Sequence, residues 1–356
     1  MSKRIRFIAS VLTLLFLITA ILSGSGAQSA NAFTPLTVNV GLVPTAGGID
    51  DNGYNALAYA GLLRAEDQLD VIGHVYQPAN PDEDYAKLAE CAGAGNALCI
   101  SVGFEMGDAT ITAAGNFPGV NFATVDMDWP EYPSNLRGLI FNSAEVGYLA
   151  GTLAALMSNS HIIGVIGGMN IPPVNEFIQP YQYGAEWANP QAFTIIDYAN
   201  DFSDPEIGAQ FAQEQISRGA DVIFGVGGMM GNGAILEAAA QGKWVIGVDT
   251  DVWYSAFGEG SVTGSEFLLT SAMKRADNAV FQTIEDQVNG TFTSGKVVYD
   301  LSNGGVGLAP YHDAAAEIPL EVQEAITNLT QGIIDGEVDV WEPFYTFSVY
   351  LPLTQK

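Results

Sequence analysis

Apolar and polar positions alternate in blocks along the chain, and each block is about as long as one secondary-structure element. Short apolar runs end in Gly, Asp or Pro, and longer amphipathic stretches separate them. Such runs are typical of buried parallel strands, and the stretches between them are typical of crossover helices. The pattern therefore predicts a doubly wound α/β fold.

The predicted elements form two series of similar order. The first has strands at 36–43, 71–76, 98–102, 121–126 and 139–142, and helices at 56–67, 84–92, 108–114 and 143–157. The second has strands at 162–166, 193–199, 221–226 and 244–248, and helices at 175–189, 206–218 and 234–241. A strand at 262–267, a helix at 270–288, a strand at 296–301, a helix at 321–335 and a packed apolar tail at 341–353 follow. Two series without sequence repetition predict two similar lobes.

The first 32 residues have the pattern of an export signal. Lys3, Arg4 and Arg6 precede an apolar run, Phe7 to Leu22, and Ala30-Asn-Ala32 offers small residues to a signal peptidase. The same run also fits an uncleaved membrane anchor. Both alternatives predict an exported protein, in the periplasm or at the cell surface.

The acidic composition of the chain limits the kinds of molecule that it is expected to bind. The 356 residues include 40 Asp and Glu against 12 Lys and Arg, for a formal net charge of −28. Such a surface repels nucleic acid and anionic membranes, so we expect no nucleic-acid partner. The chain is longer than one hydrophobic core usually organises, which also favours two lobes. We expect a monomer.

Cys91 and Cys99 are the only cysteines of the sequence. In an exported chain, such a pair favours a local disulfide from a helix end to the next strand. Two buried free thiols are the alternative. We assign no chemistry to either residue.

Polar and aromatic side chains cluster where predicted strands end. Asp51, Asp126 and Asp249 lie at or just beyond strand ends, the edge that faces the crevice in open α/β sheets. In the first loop, Asn55 offers directional hydrogen bonds and Tyr54 offers a flat face. Carboxylates combined with amides and rings suit a neutral polyhydroxylated ligand. Helix capping is the alternative role for Asp51.

The sequence offers little that would support catalysis. His74, His161 and His312 lack metal-ligand spacing, and hydrolase, P-loop and zinc-protease motifs are missing after the export signal. The loop 225–233 precedes a predicted helix, with Asp249 about one βαβ step later, so an NAD-dependent dehydrogenase is a remote alternative. Its glycines fail the Gly-x-Gly-x-x-Gly spacing in every register. We therefore predict a binding protein without cofactor or metal, and not an enzyme.

Beyond these patterns, a series of short motifs covers roughly residues 37–310. They are Asp51-Asn-Gly-Tyr-Asn55, Val102-Gly-Phe104, Val125-Asp126, Phe141, Glu145-Val-Gly-Tyr-Leu-Ala-Gly151, Ile166-Gly-Gly168, Phe202-Ser-Asp204, Gly227-Gly228, Gly231-Asn-Gly233, Ile246-Gly-Val-Asp249-Thr-Asp251, Thr270-Ser-Ala-Met-Lys274 and Gly304-Gly-Val306. In these motifs and their order, the chain resembles the basic-membrane-protein (PnrA-like) family of ABC-transporter substrate-binding proteins, whose characterised members bind purine nucleosides.

What the resemblance implies is a type I periplasmic-binding-protein fold, in which two Rossmann-like lobes close on a ligand like a Venus flytrap. Three crossings, expected near 140–143, 267–270 and 300–304, would form the hinge. The implied N-terminal lobe comprises 33–142 plus 269–300, and the C-terminal lobe 143–268 plus 301–356.

The resemblance also implies roles for individual residues. Tyr54 would stack on a base, Asn55 and Asp126 would bond polar edges of the ligand, Asp249 would hold ribose hydroxyls, and Lys274 would lie near the sugar. The expected ligand-binding set is Thr45, Asp51, Tyr54, Asn55, Phe104, Asp126, Gly228, Met229, Asp249, Trp253 and Lys274, with Gly228 and Met229 on the opposite wall.

Three of these positions depart from the family pattern. Tyr54 replaces a Phe, Thr45 stands where nucleoside-binding members tend to carry a carboxylate, and Val252-Trp253 follows Asp251 where Gln is common. The implied function is capture of a purine nucleoside for an ABC permease. A sugar-binding protein or a ligand-sensing receptor domain of the same fold is the alternative.

Overall fold

The computed structural model describes residues 37–51 and 53–342. The expected export signal (residues 1–32) and the part of the apolar tail beyond residue 342 lie outside the described residues. Within the ranges that are described, no helix has both the length and the apolar character needed to cross a membrane.

The first sheet contains six strands, all parallel to their neighbours. They are β1 (Val38–Val43), β2 (Val71–Val75), β3 (Leu98–Val102), β4 (Asn121–Val125), β5 (Leu136–Phe141) and β11 (Gly295–Tyr299), in the spatial order β11-β5-β4-β3-β1-β2. Every residue of β3 is buried, because helices cover both faces of an all-parallel sheet. These helices include α1 (Tyr54–Gln68), α2 (Asp84–Gly93), α3 (Gly107–Asn116) and α9 (Ala276–Asn289).

The second sheet also has six strands, of which one is antiparallel to its neighbour. They are β6 (Ile162–Gly167), β7 (Phe193–Tyr198), β8 (Val222–Val226), β9 (Trp244–Asp249), β10 (Leu268–Lys274) and β12 (Val306–Leu308), in the spatial order β12-β10-β9-β8-β6-β7. The antiparallel pair is β10 with β12. The associated helices are α4 (Ser143–Met157), α5 (Pro172–Ala188), α6 (Pro205–Ser217), α7 (Gly228–Ala240), α8 (Val252–Ser255) and α10 (Leu320–Ile334). The predicted α/β class with two sheets is confirmed.

Helix α4 is buried on almost all sides because a second helix packs directly against its backbone. A Cβ at Gly151 would come within 1.8 Å of the Tyr181 carbonyl oxygen, and one at Gly147 within 2.5 Å of the Phe177 oxygen. Only glycine permits α5 to approach this closely. The small residues of this stretch therefore serve packing.

The chain passes between the two sheets three times, and hydrogen bonds tie the three crossings together. At the first crossing, the amide of Asn142 donates to the Tyr299 carbonyl oxygen at 2.8 Å. The Arg275 amide donates to the Gly305 oxygen at 2.8 Å, which joins the second crossing to the third. Glu145, in the first turn of α4, accepts from the Leu301 amide at 2.8 Å and from the Asn142 side-chain amide at 2.7 Å, and so it also links the first crossing to the third.

The expected helix over 270–288 is wrong in its first part. Leu268–Lys274 forms β10, a buried strand of the second sheet, and the helix begins only at Ala276. The second crossing therefore lies after residue 274, not at 267–270, and residues 269–274 do not join the first sheet. This segment is a strand because it pairs with β9 on one side and with β12 on the other. A local sequence pattern does not reveal such pairing. The expected strand at 262–267 is wrong too, since it consists of turns and a short 3₁₀ helix.

Cys91 near the end of α2 and Cys99 in β3 form a disulfide. Both residues are fully buried. The bridge connects a helix to the central strand beside it, on the first lobe.

Candidate functional site

A cavity of about 450 Å³ lies between the carboxyl edges of the two sheets. Its lining comes mainly from residues at or after the ends of β1, β2, β3 and β4 in the first lobe, and of β6, β7, β8, β9 and β10 in the second. In parallel sheets, the strand ends at this edge converge, and a cavity of this size is in the range of small-molecule sites. Ten of the eleven predicted ligand-binding residues line it, and the exception is Trp253.

An ion pair between the lobes forms one side of the cavity. Lys274 Nζ, at the end of β10, lies 2.7 Å from Asp126 Oδ2, just after β4. The Tyr54 hydroxyl donates to the same oxygen at 2.5 Å. Burial and the neighbouring Asp126 raise the pKa of Tyr54 well above its ordinary value, so the phenol stays protonated and keeps donating. Three predicted residues from two lobes thus form one hydrogen-bonded group.

Lys274 remains charged although its side chain is only 3% exposed. Burial alone would lower its pKa, but the carboxylates of Asp126 and Asp249 hold the pKa above its ordinary value. The ammonium group also lies 5.0 Å from the centre of the Phe177 ring and 5.8 Å from that of Tyr54, a cation–π arrangement. One cation therefore balances the acidic groups at the centre of the cavity.

Asp249, the last residue of β9, has a different environment. Within residues 37–51 and 53–342, no group donates a hydrogen bond to its carboxylate. Burial raises the pKa of Asp249 to about 6, and Asp126 and Asp51 add to this while Lys274 opposes it. A half-buried carboxylate with unused acceptor sites in a cavity is suited to bind ligand hydroxyl or N–H groups.

Both Asp126 and Asp249 have left-handed backbone conformations, with φ of 66° and 63°. Asp adopts this region more readily than most residues do. Each strand therefore ends at a sharp change of direction, and the two lobes use the same device at the same edge.

In the first loop, the polar side chains satisfy one another. Asp51 accepts hydrogen bonds from the amides of Gly53, Asn55 and Ala56 at 2.9–3.0 Å. The Asn55 side chain bonds Asp51 and both the amide and hydroxyl of Thr45. Asp51 is thus a helix cap for α1, which was the alternative reading of its sequence position. Asn55 and Thr45 line the cavity, but their polar atoms already have partners.

The other predicted wall residues follow the carboxyl ends of strands β3 and β8. Phe104 follows Gly103, whose φ of 106° favours glycine. Gly228 and Met229 lie in the first turn of α7, where the sequence predicted a loop with the helix starting at 234. Met229 is 42% exposed and lines the second lobe's side of the cavity.

Trp253 does not line the cavity, contrary to prediction. Asp251 caps α8 and accepts from the Trp253 amide at 3.2 Å, which turns the chain away from the sheet edge. The indole then stacks on His312, with ring centres 4.4 Å apart, and its Nε1–H donates to Asp313 at 3.1 Å. Its position is fixed by partners outside the site.

Sequence reasoning missed the apolar wall of the second lobe. Ile171, Val174 and Phe177 line the cavity from the start of α5, and Phe202 lines it from the loop before α6. Helix residues carry no strand-end signal, so only tertiary packing reveals them. Phe202 was within a motif of the family resemblance but was not assigned to the site. Among the described residues, no group of acids, His or Cys has the arrangement of a metal site.

Comparison with known proteins gives one family. A family model described as ABC transporter substrate-binding protein PnrA-like matches residues 38–342. The chain is 30% identical to the ABC transporter nucleoside-binding protein BmpA of Lactococcus lactis subsp. cremoris, over 96% of this chain and 99% of that protein. It is 31% identical to the CD4+ T-cell-stimulating antigen of Listeria monocytogenes, over 85% of this chain and 88% of the other.

A solved structure supports the fold assignment. The chain superimposes on an ABC transporter system solute-binding protein from Aeropyrum pernix K1 with a TM-score of 0.75 and 26% identity, covering 85% of this chain and 92% of that one. Such proteins have the type I periplasmic-binding-protein fold, with two lobes around a ligand cleft.

Proposed function

This chain belongs to the PnrA-like family of ABC transporter substrate-binding proteins, and on that premise we propose that it captures a purine nucleoside between its lobes and delivers it to an ABC permease. Export, with residues 1–32 as signal or anchor, is part of the proposal. The name of the Lactococcus relative, a nucleoside-binding protein, supports this ligand class.

The observation that carries the proposal is the pairing of an unpartnered carboxylate with an aromatic ring in one cavity. Asp249 has acceptor capacity for two neighbouring ribose hydroxyls, and Tyr54 offers a ring for a base. Phe104 and Phe202 add apolar surface to the same cavity. A nucleoside has this division into a flat base and a polyhydroxylated sugar.

Ligand contacts to both lobes would favour a closed state, to the extent that the ligand binds that state more tightly than the open one. The three hydrogen-bonded crossings form the hinge. The closed form would then present both lobes to the permease. Lys274 lies directly before one crossing and pairs with Asp126 of the other lobe, so it would link the site to the hinge.

Calorimetric titration of wild-type protein with inosine, guanosine, uridine, adenine, ribose and glucose tests the ligand class. We expect purine nucleosides to bind and the free base and free sugar to bind much more weakly. A response to glucose alone would instead support the sugar-binding alternative.

The same titration with Asp249→Ala tests the site. We expect nucleoside affinity to fall about tenfold to a hundredfold, because ribose hydroxyls lose a charged acceptor. Asp67→Ala is the control, since Asp67 is exposed on α1 and outside the cavity lining. Equal affinity of wild type and Asp249→Ala would refute the ribose contact.

A further inference from the structure

Asp84, the first residue of α2, is a buried carboxylate whose presence the fold does not explain. It lines the cavity and is 8% exposed. Neither of its oxygens accepts a hydrogen bond from residues 37–51 or 53–342, and Oδ1 is buried. Buried carboxylates without donors are costly, so such a group points to a missing partner.

Helix capping does not account for Asp84. The turn before α2 is capped by Asn80, whose Oδ1 accepts from the Asp82 amide at 3.0 Å. Glu83 bonds the Ala79 amide at 2.9 Å. The start of α2 itself has no side-chain cap. The backbone of this turn is thus served by other residues, and Asp84 has no structural acceptor role.

The surroundings of Asp84 are acidic. Pro81, Phe104 and Glu105 line the cavity with it. Burial, together with the nearby charges of Glu105 and Asp82, raises the pKa of Asp84 to about 6. Within the part of the chain that the structure describes, neither Asp84 nor Glu105 has an ion-pair partner. This end of the cavity therefore favours a ligand group that donates hydrogen bonds and carries no negative charge.

Asp84 and Asp249 line the cavity from different sheets: Asp84 follows β2, an edge strand of the first sheet, and Asp249 ends β9, an inner strand of the second. The charges that act on Asp249 are those of Lys274, Asp126 and Asp51, whereas Glu105 and Asp82 act on Asp84. The cavity thus has two regions with free carboxylate acceptors. In the first loop, by contrast, the polar atoms of Thr45 and Asn55 are already paired.

We propose that Asp84, assisted by Glu105, is the acceptor that recognises the N–H donors of the ligand's base, and so selects bases that carry such donors. This inference rests on the proposed nucleoside function and extends it to the opposite end of the ligand from the sugar. The stacked base extends from Tyr54 toward Phe104, where Asp84 receives its ring N–H or exocyclic amine.

Two ribosides that differ only in the base edge test the proposal. Inosine donates a ring N–H, and purine riboside has an unsubstituted base without N–H groups. We expect wild type to prefer inosine by about tenfold or more, because a charged acceptor is left unpaired by purine riboside. In Asp84→Asn, which keeps the size and removes the charge, the preference should fall below about threefold, mainly through weaker inosine binding.

Asp84→Ala gives a second variant in which no acceptor remains at position 84, and it should show the same loss of preference. Asp108→Ala is the matched control, because Asp108 lies in the first turn of α3, is exposed and does not line the cavity. Melting curves verify that each variant is folded, and removal of a buried charge should not lower the melting temperature.

The outcomes distinguish a failure of the role proposed for Asp84 from a failure of the proposed nucleoside function. If wild type binds inosine and both Asp84 variants keep the wild-type preference, the role of Asp84 is wrong and the nucleoside function stands. A uniform loss for both ribosides would also overturn it, since that indicates a structural effect. If wild type binds neither riboside, the nucleoside function and this inference both fail.

Discussion

Each wall of the cavity has an Asp at the end of a strand, but the two Asp residues have different roles. Asp126 and Asp249 both end a strand near the middle of their sheet, and both have left-handed backbones. Asp126 is bonded by Lys274 and Tyr54, whereas Asp249 has no donor among the described residues. One carboxylate is therefore part of the scaffold between the lobes, and the other is left for a ligand.

The difference arises from Lys274, which belongs to the second sheet but pairs with the first lobe. Its Nζ lies 2.7 Å from Asp126, and its charge also acts on Asp249 without a hydrogen bond. The sheet edge fixes where each carboxylate lies. Long-range neighbours then decide how many hydrogen-bond acceptor sites each carboxylate keeps free.

The largest expected effect is that of breaking the buried pair. Lys274→Ala should lower the free energy of unfolding by about 3–5 kcal/mol, because Asp126 keeps its buried charge without its partner. Urea denaturation of the ligand-free protein measures this.

Lys296→Ala is the matched control for that variant. Lys296 and Asp128 also lie 2.7 Å apart, but both side chains are 45% exposed, so the loss should be at most about 1 kcal/mol. Similar losses in the two variants would show that burial does not distinguish the pairs.

Next in size is the effect of neutralising Asp249. In the folded protein its pKa is raised from 3.8 to about 6, so ionisation opposes folding. Asp249 does not destabilise the folded state below about pH 4, where it is protonated in both states; the destabilisation grows as the pH rises from there to the folded value of about 6, and it is constant above that value. Asp249→Asn should thus stabilise the ligand-free protein at pH 7 by about 2 kcal/mol at most, since the cavity admits water.

Melting curves at pH 4 and pH 7 check this prediction, with Asp126→Asn as the contrasting variant. Loss of the Asp126 charge leaves Lys274 unpaired, so that change should destabilise the protein at pH 7. The comparison of the two walls is wrong if both substitutions shift the melting temperature in the same direction.

The smallest effect is expected for Tyr54→Phe. The hydroxyl bond to Asp126 is lost while the ring remains, so the free energy of unfolding should fall by about 1 kcal/mol. Nucleoside affinity should change by less than about threefold if the ring face supplies the contact. A loss of affinity as large as that of Asp249→Ala would assign the binding role to the hydroxyl.

Much of this fold is predictable from the chain because its signals are local. The apolar runs of β1, β3 and β8 end within about two residues of their predicted limits. The carboxyl ends of parallel strands lie at the same edge of a sheet. Asp126 and Asp249 could therefore be assigned to one crevice before any contact was known. The family resemblance added Lys274, which lies at a strand end that periodicity assigned to a helix.

Contacts between distant segments decided the rest. The sequence pattern assigned 270–274 to a helix, yet the segment Leu268–Lys274 is a strand because β9 and β12 offer it hydrogen bonds on both sides. Trp253 lies outside the site because its indole stacks on His312 and donates a hydrogen bond to Asp313, about sixty positions later in the chain.

The sequence by itself determined the alternation of strands and helices, the two-lobed α/β class and the edge on which polar side chains gather. Only the tertiary structure decided that Asp126 is paired, that Asp51 caps a helix, and that Asp84 and Asp249 are left with free acceptors. The physical reason is that periodicity and strand ends are properties of neighbouring residues, whereas the state of a buried charge depends on whatever the fold brings next to it.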